Sequence, residues 1–118
     1  MTEYDIQVAV FEWARWEALK FPCLNYMHSS GNGLKLPIGL AVKAKKSGLL
    51  KGVPDICLPY RNNKYSGLYI ELKKEGGKAS PEQLNFIKYL LSQGYYAEVI
   101  KGYNPTITLI SNYLRNEI

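Results

Sequence analysis

The apolar positions near the start of the chain recur at the spacing of a helix. Four of them define one helical face, namely Ile6, Val10, Trp13 and Ala14. Thr2 is a favourable N-cap residue, and Pro22 cannot continue a helix. The pattern therefore predicts a first helix over residues 3–20.

Strict alternation of side chains marks the middle of the chain. Over residues 68–73, period two directs Leu68, Ile70 and Leu72 to one face and Tyr69, Glu71 and Lys73 to the other. Residues 53–60 are bracketed by prolines and predict a preceding strand that pairs with 68–73 as a hairpin. Residues 23–27 could form another short strand, and the Gly- and Asn-containing residues 29–33 predict a loop.

The last third of the chain contains a clear helix start. Ser80 is a suitable N-cap, Pro81 suits the first helical position, and Gln83 is placed to complete a capping box. This helix is expected to end at Gly94, followed by a strand over residues 96–100 and a closing helix over 105–116, with a short helix over 38–47 earlier in the chain. The order of elements predicts an α/β fold with a mixed central β-sheet flanked by helices.

Composition restricts the class of protein. The 118 residues, 47% of them hydrophobic and 21% charged, are typical of a single globular domain, here taken as residues 1–118. A net charge of +5 favours polyanionic partners. Cys23 and Cys57 form no CxxC pair and His28 is the single histidine, which argues against zinc ribbons, disulfide scaffolds and His-rich metal sites. Neither a membrane span nor a basic signal peptide is evident, so a cytoplasmic location is expected.

The candidate chemistry lies in the predicted hairpin. Asp55 follows Gly52, Val53 and Pro54, and hairpin pairing can bring its carboxylate next to that of Glu71. Two adjacent carboxylates repel unless a cation lies between them, and a hard divalent ion accepts such ligands. Lys73 could then orient the attacking water or stabilise charge on phosphorus. The alternative is that Glu71 and Lys73 form a solvent-facing salt pair and Asp55 is a turn residue.

These motifs resemble those of a known nuclease family. Gly52 to Asp55, Ile70 to Lys73, and the Ser80 and Gln83 helix start are similar to the VRR-NUC (virus-type replication-repair nuclease) domain of the PD-(D/E)xK superfamily. The resemblance extends from Glu3 to about Ile110. It implies a restriction-endonuclease-like core and a Mg²⁺ or Mn²⁺ cofactor.

The resemblance also implies roles for individual residues. The metal ligands would be Asp55, Glu71 and the carbonyl of Leu72, with Lys73 assisting catalysis. Glu3 matches an acid that family members place near the metal, although the helix dipole alone explains an acid in a first turn. Gln83 matches a glutamine at the active-site edge and is grouped with the catalytic residues, although it also suits the capping box.

The implied activity is cleavage of branched DNA. Stand-alone family members occur in phages and resemble Holliday-junction resolvases of replication and repair, which act as homodimers. We therefore expect a metal-dependent endonuclease that cleaves four-way junctions by metal-assisted attack of water. A dimer could form through the first helix, with Trp13 and Trp16, or through the closing helix. A non-catalytic branched-DNA-binding module is the alternative, as is a nuclease for flaps or other DNA or RNA structures.

Six lysines near the two halves of the motif are candidate DNA contacts. Their charges could bind phosphates without regard to base sequence, although a run of lysines is often only a solvated surface. They are Lys43, Lys45, Lys46, Lys51, Lys74 and Lys78.

Overall fold

The computed structural model describes residues 1–118, and a four-stranded sheet lies at its centre. In spatial as in chain order its strands are β1 (His28–Ser29), β2 (Ile56–Leu58), β3 (Leu68–Lys73) and β4 (Tyr96–Lys101). β2 pairs antiparallel with β1 and β3, whereas β3 and β4 are parallel. Parallel strands need a crossover, which the helix between them supplies. The predicted hairpin and mixed sheet are confirmed.

The chain has four α-helices, namely α1 (Glu3–Glu17), α2 (Ile38–Lys46), α3 (Pro81–Ser92) and α4 (Tyr103–Leu114). All of them except α2 pack against the sheet and together cover both faces of β3. The main core joins α1 and α4 to the Leu68, Ile70 and Leu72 face of β3. On the opposite face, α3 and β4 form a smaller apolar cluster beside Tyr69. Because neither face of β3 is left to solvent, Glu71 is buried, and Tyr69 and Lys73 on the same strand are half-buried.

Two predicted strands differ from the observed elements. The strand expected over residues 23–27 was wrong, because Pro22–Tyr26 is a 3-10 helix that buries Leu24. Proline fixes a helical φ and lacks the N–H that a strand would use, so Pro22 at the first position favours the helical turn. The strand expected over 53–60 shortens to Ile56–Leu58, since the flanking prolines cannot donate to the ladder.

The short helix α2 stands apart from the rest of the fold. The prediction of a helix over residues 38–47 is confirmed within one residue. However, α2 has no buried residue and makes no substantial packing contact with any other helix or strand. No helix of the chain is long and apolar enough to span a membrane.

Candidate active site

The hairpin brings Asp55 next to β3. Ile56 pairs with Ile70, which places Asp55 across from Glu71 one step further along the ladder. Asp55 Oδ2 accepts a hydrogen bond of 2.9 Å from the backbone N–H of Leu72, and the backbone carbonyl of Asp55 accepts one of 2.9 Å from Ser30. The carboxylate is therefore fixed through both its side chain and its backbone.

Gly52 permits the close approach of this segment to α3. Its φ is +97°, a conformation that side chains other than glycine rarely adopt. A Cβ at this position would lie 2.8 Å from the backbone oxygen of Glu82. Only glycine therefore fits where the chain passes the start of α3 on its way to Asp55.

Glu71 is buried, and its two oxygens differ in their partners. Its side chain is 2% exposed and that of Lys73 is 12% exposed. Oε2 accepts a 3.0 Å hydrogen bond from Nε2 of Gln83 and lies 3.4 Å from Nζ of Lys73. Oε1 has no partner, and no other buried side-chain polar atom of the chain is left in this state. The alternative of a solvent-facing salt pair was wrong, because α3 covers this face of the sheet.

Burial destabilises the charged forms of both carboxyl groups, and repulsion by Asp55 adds to this effect at Glu71. Burial raises the pKa of Glu71, and the adjacent Asp55 carboxylate raises it further. Burial also raises the pKa of Asp55, against the opposing effects of Glu71, the Leu72 N–H and Lys73. Two such groups in one buried site are stabilised in their charged forms when a cation lies between them.

The oxygen atoms at this position fit a hard divalent cation. Asp55 and the unpartnered Oε1 of Glu71 supply carboxylate oxygens. In a strand, the N–H and C=O of one residue point to the same side, so the carbonyl of Leu72 is directed toward Asp55 like its N–H. No group of three or more His, Cys, Asp or Glu side chains is arranged to hold a metal ion. Two carboxylates with waters and substrate oxygens are the usual Mg²⁺ environment.

Gln83 connects the start of α3 to the carboxylate pair. Its Oε1 accepts a 2.8 Å hydrogen bond from the backbone of Ser80 and completes the capping box, while Nε2 donates to Glu71. Ser80 Oγ in turn accepts from the backbone of Gln83 at 3.2 Å. One side chain thus serves both roles considered from the sequence, the cap and the contact with the site.

Replacing Gln83 by Glu should separate these two roles. Glu also completes a capping box, so Gln83→Glu should keep the helix start but replace the donor to Glu71 with a third carboxylate. With Glu71 as the expected metal ligand, cleavage should fall about 10- to 100-fold, the effect typical of residues that orient such ligands. Ser80→Ala, the matched control, should lower the free energy of unfolding by about 1 kcal/mol and leave cleavage unchanged. Equal cleavage by Gln83→Glu and wild type would assign Gln83 to the cap alone.

Glu3 lies at the rim of the site. Its Oε2 accepts a 3.5 Å hydrogen bond from the backbone of Lys74, and its charge contributes to raising the pKa of Asp55. Thr2 and Asp5, not Glu3, form the capping box of α1. A cavity of about 340 Å³ opens here between α1 and the loop after β1, with Glu3, Gln7, Arg15, Leu34 and Asp55 among its lining residues.

The six candidate lysines are all exposed but fall into separate groups. Lys43, Lys45 and Lys46 lie in the last turn of α2. Lys51 forms an exposed ion pair of 3.1 Å with Glu82 at the start of α3. Lys74 and Lys78 follow β3.

Asn32 is a structural residue of the site that the sequence did not single out. Its Nδ2 donates to the backbone carbonyls of Leu50 at 2.9 Å and Val53 at 3.3 Å. These bonds connect the loop after β1 to the segment that leads into Asp55. An Asn in a glycine-rich loop is the available signal, but it is equally typical of an ordinary turn.

Two comparisons with known proteins give a match, and both matches are to the same domain. A model of the VRR-NUC domain matches residues 1–104. A solved structure described as a VRR-NUC domain protein is 33% identical in sequence, covers 98% of this chain and 89% of its own, and superposes with a TM-score of 0.81. None of the curated proteins compared with the chain matches it.

Proposed function

Because the chain belongs to the VRR-NUC domain family of nucleases, we propose that it is a Mg²⁺- or Mn²⁺-dependent endonuclease that cleaves branched DNA, with four-way junctions as the preferred substrate. The observation that best supports this proposal is the buried pair of Asp55 and Glu71, with the unpartnered Oε1 of Glu71. Lys73, the third residue of the motif, contacts the same carboxylate.

Each residue of the site has a distinct part in phosphodiester hydrolysis. Asp55, Glu71 and the carbonyl of Leu72 would hold the cation. When bound, the cation would neutralise charge on the phosphate and lower the pKa of an attacking water. Gln83 holds one oxygen of Glu71, which leaves Oε1 free for the ion. Lys73 would stabilise the negative charge that develops on phosphorus.

The reaction exchanges one bond at phosphorus for another. The water oxygen forms a bond to phosphorus while the bond to the leaving sugar oxygen breaks. The water gives up one proton, and the leaving oxygen takes one up, so no oxidant or further reactant is needed. Lys73, whose Nζ lies 3.4 Å from Oε2 of Glu71, would supply positive charge next to the reacting phosphate.

Cleavage of labelled DNA structures tests this function. A four-way junction, a flap, a linear duplex and a single strand of DNA, with an RNA strand, are each incubated with Mg²⁺, Mn²⁺ or a chelator. We expect metal-dependent cleavage, greatest for the junction and absent with chelator. Cleavage of flaps or RNA but not junctions would retain the chemistry and reject this substrate. Binding of junctions with no cleavage under any metal would favour a non-catalytic branched-DNA-binding module.

Lys45 and Lys46 are expected to contribute to DNA binding through phosphates. The Lys45→Ala, Lys46→Ala double variant should weaken binding to all sequences equally and reduce the slope of log K against log salt by about 2, since each phosphate contact contributes about 0.9. Fluorescence anisotropy over a salt series measures this slope. The control is the Lys20→Ala, Lys88→Ala double variant, which should leave the slope unchanged. Lys20 follows α1, Lys88 lies on α3, and both are exposed. An unchanged slope in the first variant would assign Lys45 and Lys46 to a solvated surface.

A homodimer would place two active sites on opposing strands of a junction. Of the two candidate interfaces, α1 and α4, the first is the better one. Trp16 and Leu19 are 76% and 85% exposed, whereas Trp13 packs against the core. The apolar residues of α4 are largely buried. We expect light scattering at micromolar concentration to give a dimer for wild type and a monomer for Trp16→Ala. A monomeric wild type would contradict the dimer.

A further inference from the structure

Residues 34–51, here called the lysine arm, leave the body of the protein beside the candidate active site. Leu34 lines the same cavity as Asp55, and the other end is fixed by the bond from Asn32 to the carbonyl of Leu50. Between these ends lies α2, which has no buried residue. An isolated helix of nine residues is only marginally stable in water, so contact with another molecule would stabilise α2.

The charge of the arm identifies the chemistry of this partner. The arm contains five lysines and no acidic residue, which equals the whole formal net charge of +5 of the chain. The remaining residues are therefore balanced in charge. A surface with this concentration of positive charge is complementary to a polyanion.

The arm also exposes an unusual number of aliphatic side chains. Six of the sixteen exposed large hydrophobic residues of the chain lie in it, and Ile38 is 85% exposed. Ile38 and Val42 are one helical turn apart and so share a face, with Lys45 and Lys46 a further turn along. Phosphates alone give these aliphatic side chains nothing to contact.

We propose that the lysine arm recognises unstacked bases at the branch of a nucleic acid, with Ile38 and Val42 contacting base faces and the lysines contacting the flanking phosphates. The inference rests on the proposed function in that the partner is a nucleic acid. In a regular duplex an apolar side chain can contact base faces only at the free-energy cost of unstacking them, and this cost is lower at a branch, where bases are already less stacked. The arm would therefore confer the preference for branched structures.

A second copy of the chain is a poorer match for this surface, because outside the arm it carries no net negative charge to complement the lysines. Symmetric contact between two arms would oppose five lysines with five lysines, which like-charge repulsion disfavours. A regular duplex would satisfy the lysines, but contact of Ile38 and Val42 with its base faces would require unstacking.

The test compares binding to a four-way junction and to a linear duplex of the same base composition, with chelator present so that no strand is cut. Ile38→Ala should weaken junction binding about tenfold and duplex binding less than about twofold. With 2-aminopurine at the branch, wild type should raise its fluorescence through unstacking, and Ile38→Ala should not. Leu91→Ala is the control, because Leu91 is an exposed aliphatic residue of α3, outside the arm.

Several outcomes would overturn the inference. They are unchanged junction binding in Ile38→Ala, equal loss for junction and duplex, and conversion of a wild-type dimer to a monomer by the same substitution. Thermal unfolding of Ile38→Ala should match wild type within about 2 °C, because the side chain is exposed. Metal-dependent cleavage with an unaltered junction preference would reject the arm and retain the nuclease. Loss of junction preference in a protein that never cleaves would retain the arm and reject the enzyme.

Discussion

Cleavage is expected to fall by at least about a thousandfold when Glu71 is replaced by Gln, because the substitution removes a proposed metal ligand. The amide has the size of the carboxyl group and can still accept the hydrogen bond from Gln83. The substitution also removes a carboxyl group whose charged form is destabilised by burial and by Asp55, so thermal stability should be unchanged or raised. DNA binding should survive or tighten, since one acid is lost near the phosphates. Asp55→Ala should abolish cleavage in the same way.

Divalent metal provides a second measurement on the same variant. A ligand that binds the folded state raises the unfolding midpoint, so Mg²⁺ or Mn²⁺ should stabilise wild type but not Glu71→Gln. Glu98→Gln is the control, because Glu98 lies on β4 of the same sheet outside the carboxylate pair. Full cleavage by Glu71→Gln, or equal stabilisation of wild type and Glu71→Gln by metal, would contradict the assignment of Glu71 as a metal ligand. An unfolded variant by circular dichroism would indicate that Glu71 acts as a structural ion-pair residue.

The second large effect is expected at Lys73. Lys73→Ala should lower the rate of cleavage at saturating DNA by about 10²–10³-fold, since the ammonium would stabilise charge that develops only in the transition state. Metal binding should change much less, because Lys73 supplies no oxygen ligand. Single-turnover kinetics measure the first quantity, and the metal-dependent shift of the unfolding midpoint measures the second.

A neighbouring lysine supplies the control for this prediction. Lys101 is the register partner of Lys73 on β4 and is exposed, whereas Lys73 reaches Glu71. Lys101→Ala should therefore leave the rate unchanged. Equal losses in the two variants would indicate that only the general positive potential at this end of the sheet matters. A Lys73→Ala protein that fails to bind metal would indicate that Lys73 stabilises the charged carboxylates and has no separate catalytic part.

Local patterns were sufficient to predict most of the fold. The alternation over residues 68–73 and the capping residues Ser80 and Gln83 predicted β3 and the start of α3, because these signals arise within a few residues of one another. The 3-10 helix at Pro22–Tyr26 was missed, since a short and mostly apolar segment suits either a strand or a helical turn. In that segment Pro22 indicated the helical turn more reliably than the apolar residues indicated a strand.

The candidate site was partly accessible from the sequence in the same way. Hairpin pairing brings Asp55 and Glu71 together, and it depends only on the two strands and the turn between them. The burial of Glu71 could not be read from β3, because the helix that covers it begins eight residues after the strand ends. For the same reason the free Oε1 and the bond from Gln83 became visible only in the folded chain.

The sequence by itself determined which chemical groups are available: two carboxylates, a lysine and a glutamine at spacings that a hairpin and a helix start can bring together. Only the tertiary structure decided that Glu71 is buried and that α2 is not. Residues 38–47 have the composition of a surface helix of an ordinary domain, and nothing in their order distinguishes a packed helix from a projecting one. Burial depends on what the rest of the chain places against a segment, and that is a property of the assembled fold.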